Sequence, residues 1–393
     1  MIPYNKQFVS VDDIKSVVKV LKSDFLTQGQ EVPKFENKLK KFVGSKYAVA
    51  VSSASAALHL SCLALGLKKN DIFWTVPNTF VASASCGLHC NANVDFVDID
   101  KNTNNISIIE LEKKLKIAKK QRKLPKILIP IHFSGFPYEQ DKIYKLSKKY
   151  KFKVIEDASH ALGSRYKNIP VGNCKWSDLT VFSFHPVKTI TTGEGGVITT
   201  NSKKYYDILC KLRTHGITKN VDEYKRKINS KWYYEQQLLG FNYRMSDIHA
   251  SLGSSQLKKI HTFVKRRNKI AKIYDKELNH PLVILPKKNK NHISTYHLYV
   301  IKFELDKIKK SYDYIFKKFE SKKIGVNLHY LPVHLHPLYK KMGFKKGDFP
   351  ISEKYAQKSF SIPLYYTIKS NEQFKVINCI KKIVKEFESL IKD

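Results

Sequence analysis

Short apolar runs alternate with segments of helical periodicity along the first two thirds of the chain. The apolar runs predict strands at residues 47–51, 72–76, 94–97, 127–131, 154–155, 179–184 and 197–199. The periodic segments predict helices at about 11–21, 35–42, 57–65, 108–117 and 139–150. Short continuous strands between helices are typical of an α/β fold whose mostly parallel sheet is covered by helices on both faces. Ligands of such sheets bind at the carboxyl ends of the strands.

The pattern changes after about residue 250. Leu252, Leu257, Ile260, Val264 and Ile270 predict one long helix that leads out of the larger domain. The remaining chain predicts a smaller α+β unit, with strands at 297–303 and 325–329 and helices at 312–322 and 372–390. We therefore expect a large domain at residues 1–250, and a linking helix with a smaller C-terminal domain at residues 251–393.

The charge of the chain is strongly positive. Its 393 residues include 71 lysines and arginines against 34 aspartates and glutamates, a net charge of +37. Three explanations compete: nucleic-acid binding, an anionic small-molecule substrate, and a lysine-rich composition with little functional content. The lysines occur in nearly every amphipathic segment, and we find no helix-turn-helix, zinc-finger or RNA-binding signature. We expect a solvated basic surface and no nucleic-acid partner.

Composition also bears on location and metal binding. No apolar run approaches about 18 residues, so the sequence predicts no membrane span, and the first residues lack the features of a signal peptide. Six scattered cysteines predict buried, reduced thiols in a cytoplasmic protein.

Three histidines, His329, His334 and His336, suggest a metal site, but no carboxylate or cysteine joins them at ligand spacing. We expect no metal.

Two predicted strands end in polar residues that suit pyridoxal 5'-phosphate. The strand at 154–155 leads into Asp157, and the strand at 179–184 contains Ser183 and precedes Lys188 and a glycine turn at 193–196. The cofactor needs a lysine amine for its Schiff base and a carboxylate that keeps its ring nitrogen protonated. An aspartate, a serine and a loop lysine in this order therefore favour pyridoxal 5'-phosphate.

A serine-rich turn at 52–55 supplies candidate phosphate donors. It opens the helix predicted at 57–65, so free backbone N–H groups and the Ser55 hydroxyl are available for a phosphate. Downstream of Pro77, Phe80 starts a helix of small residues and is a candidate to lie on the cofactor ring. Singly, these residues have structural explanations as a helix cap, a turn or part of the core. Their order and spacing together favour the functional interpretation.

At this point the sequence resembles a family, the sugar-nucleotide aminotransferases of the DegT/DnrJ type, which are fold-type I pyridoxal-phosphate enzymes. The resemblance covers nearly the whole chain. Its most specific segments are Glu-Asp-Ala-Ser-His at 156–160 and Ser-Phe-His-Pro-Val-Lys at 183–188. The segment Leu-Gly-Phe-Asn-Tyr-Arg-Met at 239–245 belongs to the same resemblance.

The resemblance implies a role for each matching residue. Lys188 forms the Schiff base, Asp157 bonds the pyridine nitrogen, and His160 lies near the phenolic oxygen of the ring. The residues that hold the phosphate or stack on the ring are Ala54, Ser55, Ser183 and Phe80. Asn242 reaches the phosphate of the neighbouring subunit's cofactor, which implies a homodimer with shared active sites.

At two positions of this site, the sequence can be compared with the pattern of the family. Many members have Asn-Gly-Thr where this chain has Ser53-Ala54-Ser55, but N–H donors and a hydroxyl remain, so we interpret the difference as a variant of the site. Dehydratase relatives replace the lysine with histidine. This chain keeps Lys188, which favours transamination over dehydration.

Within the family, the branch of pseudaminic acid transaminases looks most similar. That branch implies transfer of an amino group, with L-glutamate as the expected donor, to a UDP-linked 4-keto sugar, giving UDP-4-amino-4,6-dideoxy-N-acetyl-β-L-altrosamine. The residues implied around the nucleotide sugar are Tyr4, Asp24, Phe25, Leu26, Thr27, Asn327, Leu328, His329 and Tyr330. The alternatives are another nucleotide-sugar 4-aminotransferase, of the perosamine or bacillosamine type, and, more remotely, a non-enzymatic nucleic-acid-binding protein.

Overall fold

A computed structural model describes residues 1–226, 228, 230–289, 291–304 and 310–392. The helices are α1 (Val11–Leu21), α2 (Glu31–Val43), α3 (Ala54–Ala64), α4 (Ala82–Leu88), α5 (Ile108–Lys120), α6 (Gln140–Tyr150), α7 (Lys203–Leu212), α8 (Asp247–Leu257), α9 (Ile260–Glu277), α10 (Tyr312–Ser321), α11 (Pro337–Lys340), α12 (Pro350–Lys358) and α13 (Ser370–Lys392). The strands are β1 (Tyr47–Val51), β2 (Ile72–Thr75), β3 (Asn93–Phe96), β4 (Ile127–Leu128), β5 (Lys153–Asp157), β6 (Arg165–Tyr166), β7 (Ile169–Pro170), β8 (Leu179–Ser183), β9 (Gly196–Thr200), β10 (Ile217–Thr218), β11 (Glu235–Gln236), β12 (Val283–Ile284), β13 (His292–Ile293), β14 (Tyr299–Phe303) and β15 (Ser359–Ile362). In the described part of the chain, no helix is long and apolar enough to cross a membrane.

A seven-stranded sheet in the order β1-β9-β8-β5-β4-β2-β3 forms the centre of the molecule. β9 runs antiparallel to both of its neighbours, and the other six strands share one direction. Helices cover the sheet, so most residues of β1, β5, β8 and β9 are buried. Such two-sided burial explains why these strands are apolar runs without alternation. The predicted α/β architecture, a mostly parallel sheet covered by helices, is confirmed, and all seven predicted strands lie in this sheet.

The shared direction of six strands has a consequence for function. The chain leaves β1, β2, β4, β5 and β8 at the same edge of the sheet, because the carboxyl ends of strands that point the same way meet there. The loops after these strands therefore bring together residues that are up to 130 positions apart in sequence, from Ser53 to Ser183.

One predicted helix is two helices in the structure. The prediction of a single long helix after about residue 250 is wrong, because the helix breaks at Lys258 and Lys259, between α8 and α9. The Lys259 ammonium turns back toward the start of α1 and donates to Ser10 Oγ at 2.6 Å and to Asp13 Oδ1 at 2.7 Å. The break lets α8 stay buried almost all round while only one face of α9 is buried.

The strand predicted at 325–329 is also absent from the described structure. The backbone there is shared between two partners: Gly325 N donates to the Ile2 carbonyl at 2.7 Å, and Asn327 pairs with Ser361 of β15 in an isolated bridge. Neither partner continues the ladder. The segment is instead a connection that carries residues 327–330 to the central sheet.

The C-terminal residues build a second layer around the sheet β12-β14-β15. Apolar residues of α9, α10 and α13 cover this sheet in a core that also includes Ile2. Other C-terminal side chains, among them Leu298 and Val300, pack with Trp74 and Leu128 of the central sheet. The division of the chain into domains at 1–250 and 251–393 stays a prediction.

Candidate active site

A cavity of about 550 Å³ lies at the carboxyl edge of the central sheet. Its size falls in the range of small-molecule sites, roughly 300–1,000 Å³. The predicted site residues that line it are Tyr4, Ala54, Ser55, Phe80, Asp157, His160, Ser183, Lys188, Asn327, Leu328, His329 and Tyr330. They come from the N-terminal segment, from the loops after four strands and from the connection at 327–330. The fold thus brings most of the predicted residues to one place.

Asp157 is the last residue of β5, and its carboxylate is held on both oxygens. Ser83 Oγ donates to Oδ2 at 2.6 Å, and the Ser159 backbone N–H donates to Oδ1 at 3.0 Å. Only 8% of Asp157 is exposed. The two donors fix the orientation of a buried carboxylate at the cavity wall. A carboxylate held in this way can serve as the partner of a cationic group on a ligand.

Lys188 enters the same cavity from the turn after β8. Its backbone N–H donates to the His185 carbonyl at 2.9 Å, which closes the turn. Burial lowers the pKa of its ammonium to about 8, while the negative charge of Asp157 opposes that change. Among the described residues, the amine has no hydrogen-bond acceptor. A lysine of this kind is a candidate nucleophile, because a larger fraction of it is neutral near pH 7.

The N-terminus of α3 forms another wall of the cavity. Ser53 caps the helix by accepting from Ala56 N at 3.1 Å, so the N–H groups of Ala54 and Ser55 in the first turn stay available to a ligand. The start of β9 passes very close to this turn. A Cβ at Gly196 would lie 2.5 Å from the Ser53 carbonyl oxygen, so only glycine fits there. Helix N-termini of this type bind phosphate.

Uncharged aromatic groups surround the amine of Lys188. His160 shares a hydrogen bond with the Tyr330 hydroxyl at 3.1 Å and packs against His297, with ring centroids 4.3 Å apart. Burial and the positive charge of Lys188 hold the pKa of His160 well below its usual value, and they lower the pKa of His329 to about 3. Burial raises the pKa of Tyr330. These groups are therefore neutral at physiological pH.

Several residues of the site are missing from the sequence-based prediction. His132 and His297 line the cavity, Thr79 lines it beside Phe80, and Ser83 bonds Asp157 from behind. His297 lies two residues before β14, and His132 follows β4 by four residues. Their nearness to strand ends is the signal that could have identified the histidines. Nothing distinguishes Ser83 from the other small residues of α4.

Five predicted residues lie outside the cavity. Asp24, Phe25, Leu26 and Thr27 are exposed, and the segment is held by Asp247, whose backbone N–H donates to the Leu26 carbonyl at 2.9 Å. Asn242 is exposed as well and pairs with Thr214 in an isolated bridge. Within one chain, these residues lie on the outer surface, so their roles stay predictions.

The three histidines considered for metal binding have separate environments. His329 Nδ1 bonds Ser361 Oγ at 2.8 Å, and His334 Nε2 bonds Glu353 Oε1 at 2.9 Å. Across the residues that the structure describes, no group of three histidine, cysteine, aspartate or glutamate side chains is arranged to hold a metal ion.

The donor set fits pyridoxal phosphate. A carboxylate with fixed orientation, a lysine amine without an acceptor, and a helix N-terminus with free N–H groups lie around one cavity. They match the ring nitrogen, the aldehyde and the phosphate of that cofactor in chemical type. Phe80 lines the same cavity and supplies an aromatic surface.

Comparison with known proteins agrees with this fit. Residues 8–381 match the DegT/DnrJ/EryC1/StrS aminotransferase family. The chain belongs to this family. It is therefore a sugar aminotransferase that depends on pyridoxal phosphate, as the sequence predicts.

Individual relatives and solved structures resemble this aminotransferase along most of its length. It is 40% identical over 348 residues, 87% of each chain, to the UDP-4-amino-4,6-dideoxy-N-acetyl-beta-L-altrosamine transaminase of Campylobacter jejuni subsp. jejuni serotype O:23/36. Its fold matches that of Helicobacter pylori PseC, an aminotransferase of pseudaminic acid biosynthesis, with a TM-score of 0.88 and 28% identity over 99% of both chains. It also matches the PLP form of Spr1654 of Streptococcus pneumoniae, described as a sugar aminotransferase, with a TM-score of 0.87 and 26% identity over 98% and 99% of the two chains.

Proposed function

We propose that this aminotransferase moves an amino group from L-glutamate to C4 of a UDP-linked 4-keto-6-deoxy-N-acetylhexosamine. The product is UDP-4-amino-4,6-dideoxy-N-acetyl-β-L-altrosamine, an intermediate of pseudaminic acid biosynthesis. The similarity to the Campylobacter transaminase of that name carries this choice of substrate. The arrangement of Asp157, Lys188 and the N-terminus of α3 around one cavity supports the reaction type.

In this proposal, each wall of the cavity holds one part of the cofactor. Ala54, Ser55 and Ser183 bind the phosphate, Asp157 bonds the ring nitrogen, Phe80 lies on the ring and His160 lies near its phenolic oxygen. Pyridoxal phosphate supplies an electron sink that lets an amino group leave one substrate and enter another. The part of this protein is to orient the pyridine ring and to keep the neutral amine of Lys188 beside it.

Lys188 is the group that holds and moves the proton in this proposal. Its lowered pKa, about 8, makes the amine a base at physiological pH, because its neutral form is accessible. The neighbouring imidazoles of His160 and His329 do not compete as charged acids, since burial keeps both neutral.

The nucleotide sugar enters on the side of Tyr4 and the connection at 327–330 in this proposal. The Tyr4 and His329 rings lie 5.3 Å apart, and both residues line the cavity. Asn327 and Leu328 extend this surface toward the opening. The exposed segment with Asp24, Phe25, Leu26 and Thr27 completes the sugar site in the dimer.

We also propose a homodimer with shared sites and a cytoplasmic location. Four apolar side chains of α1, those of Val11, Ile14, Val18 and Leu21, are 39% to 64% exposed along one face of the helix. An apolar stripe of this kind is typical of an interface. Asn242 lies on the outer surface, where it can reach a second subunit. The six cysteines are free thiols, which suits a reducing compartment.

A panel of nucleotide sugars tests the choice of substrate. The purified enzyme is supplied with glutamate and with 4-keto precursors of the altrosamine, bacillosamine and perosamine types, and the products are identified by mass spectrometry and NMR. We expect the highest kcat/KM with the UDP-linked precursor of the β-L-altrosamine. Faster amination of another precursor would assign the enzyme to that sugar instead.

Borohydride reduction tests the role of Lys188 separately. Reduction of the holoenzyme should attach the cofactor covalently to the peptide that contains Lys188, and Lys188→Ala should lose both this attachment and transamination. Lys113→Ala, which replaces an exposed lysine of α5, is the matched control and should behave as the wild type. Wild-type turnover by Lys188→Ala would show that the assignment is wrong.

A further inference from the structure

Behind Asp157, two hydroxyl groups form a short chain of hydrogen bonds. Thr79 Oγ1 lies 2.9 Å from Ser83 Oγ, and Ser83 Oγ lies 2.6 Å from Asp157 Oδ2. Thr79 is 2% exposed and Ser83 is completely buried. Thr79 lies in the turn three residues before α4 and Ser83 lies in the first turn of that helix, and the hydrogen bond between their hydroxyls joins the two.

The direction of each hydrogen bond follows from the chemistry of the groups. A carboxylate only accepts, so Ser83 donates its single proton to Asp157. The Ser83 oxygen is then an acceptor for Thr79, which donates to it. Both donors therefore point toward the carboxylate, and the chain ends in a short hydrogen bond to a charged group, the stronger kind.

The other oxygen of Asp157 has its own donor, the backbone N–H of Ser159. Rotation of the carboxylate about its Cβ–Cγ bond would break both hydrogen bonds. Because Ser159 lies on the same loop as Asp157, its donor moves with that loop. Ser83 belongs to α4, and it ties the carboxylate to a different element of the fold.

We propose that Ser83, supported by Thr79, is a positioning residue for the cofactor-binding carboxylate. The two hydroxyls hold Asp157 so that its remaining lone pairs face the ring nitrogen of pyridoxal phosphate. The inference rests on the proposed function, in which Asp157 bonds that nitrogen. Ser83 of α4 supplies the orientation, so the short segment 79–83 provides both the aromatic side chain of Phe80 and the support of the carboxylate.

A double-mutant cycle tests whether Ser83 acts through Asp157. Ser83→Ala, Asp157→Asn and the double variant are compared in two measurements: the dissociation constant of pyridoxal phosphate from the protein, and the rate of the half-reaction with glutamate. We expect Ser83→Ala to weaken cofactor binding and slow the half-reaction by about tenfold each, the size of one hydrogen bond to a charged group. In the Asp157→Asn background, Ser83→Ala should have almost no further effect.

Control variants separate positioning from a general loss of structure. Ser85→Ala removes another hydroxyl from α4, one that donates to the Val81 carbonyl and does not touch Asp157, and it should leave both measurements unchanged. Thr79→Val should reproduce part of the effect of Ser83→Ala, and Thr79→Ser, which keeps the hydroxyl, should restore it.

The outcomes distinguish the inference from the proposed function. If Asp157→Asn is as active as the wild type, both the role of Asp157 and the inference are wrong. If Asp157→Asn is impaired but Ser83→Ala is silent, or if the two effects multiply in the double variant, only the positioning role of Ser83 is wrong.

Discussion

The Tyr330 hydroxyl and Nε2 of His160 share a hydrogen bond of 3.1 Å across 170 residues of sequence. The bond joins the loop after β5 to the connection at 327–330, the two segments that face each other across the cavity. His160 is buried and Tyr330 is half-buried. Loss of contact with water keeps both in their uncharged forms, because it lowers the pKa of His160 and raises that of Tyr330. The bond therefore closes the site without adding a charge.

Removal of this hydroxyl should slow the reaction without unfolding the protein. We expect Tyr330→Phe to lower the rate of the half-reaction with the keto sugar by about five- to tenfold, the effect of one neutral hydrogen bond. Rapid-mixing absorbance measurements of each half-reaction provide the test. Tyr144→Phe on α6, at a residue that does not line the cavity, is the control. An unchanged rate in Tyr330→Phe would mean that the bond has no part in the reaction.

The lowered pKa of Lys188 predicts how stability depends on pH. The pKa is about 8 in the folded protein against 10.5 for an ordinary lysine, so between these values the unfolded chain binds more protons than the folded one. The stability of the cofactor-free protein should therefore rise with pH across this window. Below pH 8 the buried charge costs up to about 3 kcal/mol.

Urea unfolding of the cofactor-free protein checks the sign. Lys188→Met should be more stable than the wild type at pH 7, and the difference should shrink as the pH rises from 8 to 10.5. Lys113→Met, at an exposed position of α5, should show no such trend. A difference between Lys188→Met and the wild type that stays constant with pH would contradict the lowered pKa.

The close approach of β9 to α3 predicts a sensitive position at Gly196. An alanine Cβ would lie 2.5 Å from the Ser53 carbonyl oxygen and 2.7 Å from Ala54 N, so the first turn of α3 must move. We expect Gly196→Ala to weaken the binding of pyridoxal phosphate to the cofactor-free protein by about tenfold or more, because helix N–H groups bind phosphate only when they point at it. Gly325→Ala, where the nearest atom would be 3.1 Å away, is the control. Fluorescence titration measures both, and wild-type affinity in Gly196→Ala would contradict the prediction.

The central sheet was predictable because its strands are buried on both faces. Runs such as β1 and β8 are continuous and apolar, and they differ visibly from the periodic segments that form α5 and α6. The two-residue strands β6, β7 and β13 carry no such signal. β6 and β7 pair locally, between Tyr166 and Ile169. β13 joins β6 across more than a hundred residues, between His292 and Tyr166, and only the folded chain brings these two strands together.

The candidate site was predictable where chemistry and position coincide. Asp157 ends the apolar strand β5 and Lys188 lies in the turn after β8, so their order along the chain already indicates a cofactor. Ser83 was not predictable, because it acts through a contact between α4 and β5 that no local pattern reports. The break between α8 and α9 was missed for a similar reason: the ion pair of Lys259 with Asp13 at the break joins residues far apart in sequence, and no local pattern reports it.

The shared-site homodimer leads to a complementation prediction. If Asn242 serves the partner's cofactor, a dimer of one Lys188→Ala chain and one Asn242→Ala chain has one site with both substitutions and one site with neither. Each variant alone should be nearly inactive, since every site of its homodimer has a lesion. We expect mixed dimers to recover up to about half of the wild-type activity per dimer, because one site in two is intact.

Subunit mixing after mild dissociation, with differently tagged chains, measures this recovery in isolated heterodimers. A mixture of Lys188→Ala with Asp157→Asn is the matched control, because both residues line the cavity of their own chain and every site in that heterodimer keeps a lesion. That control should stay inactive. Recovery in the Lys188→Ala and Asn242→Ala pair alone would place Asn242 across the interface. Inactive heterodimers in both mixtures, with exchange demonstrated by the tags, would mean that Asn242 acts within its own subunit, and the exposed position of its side chain would then need a different explanation.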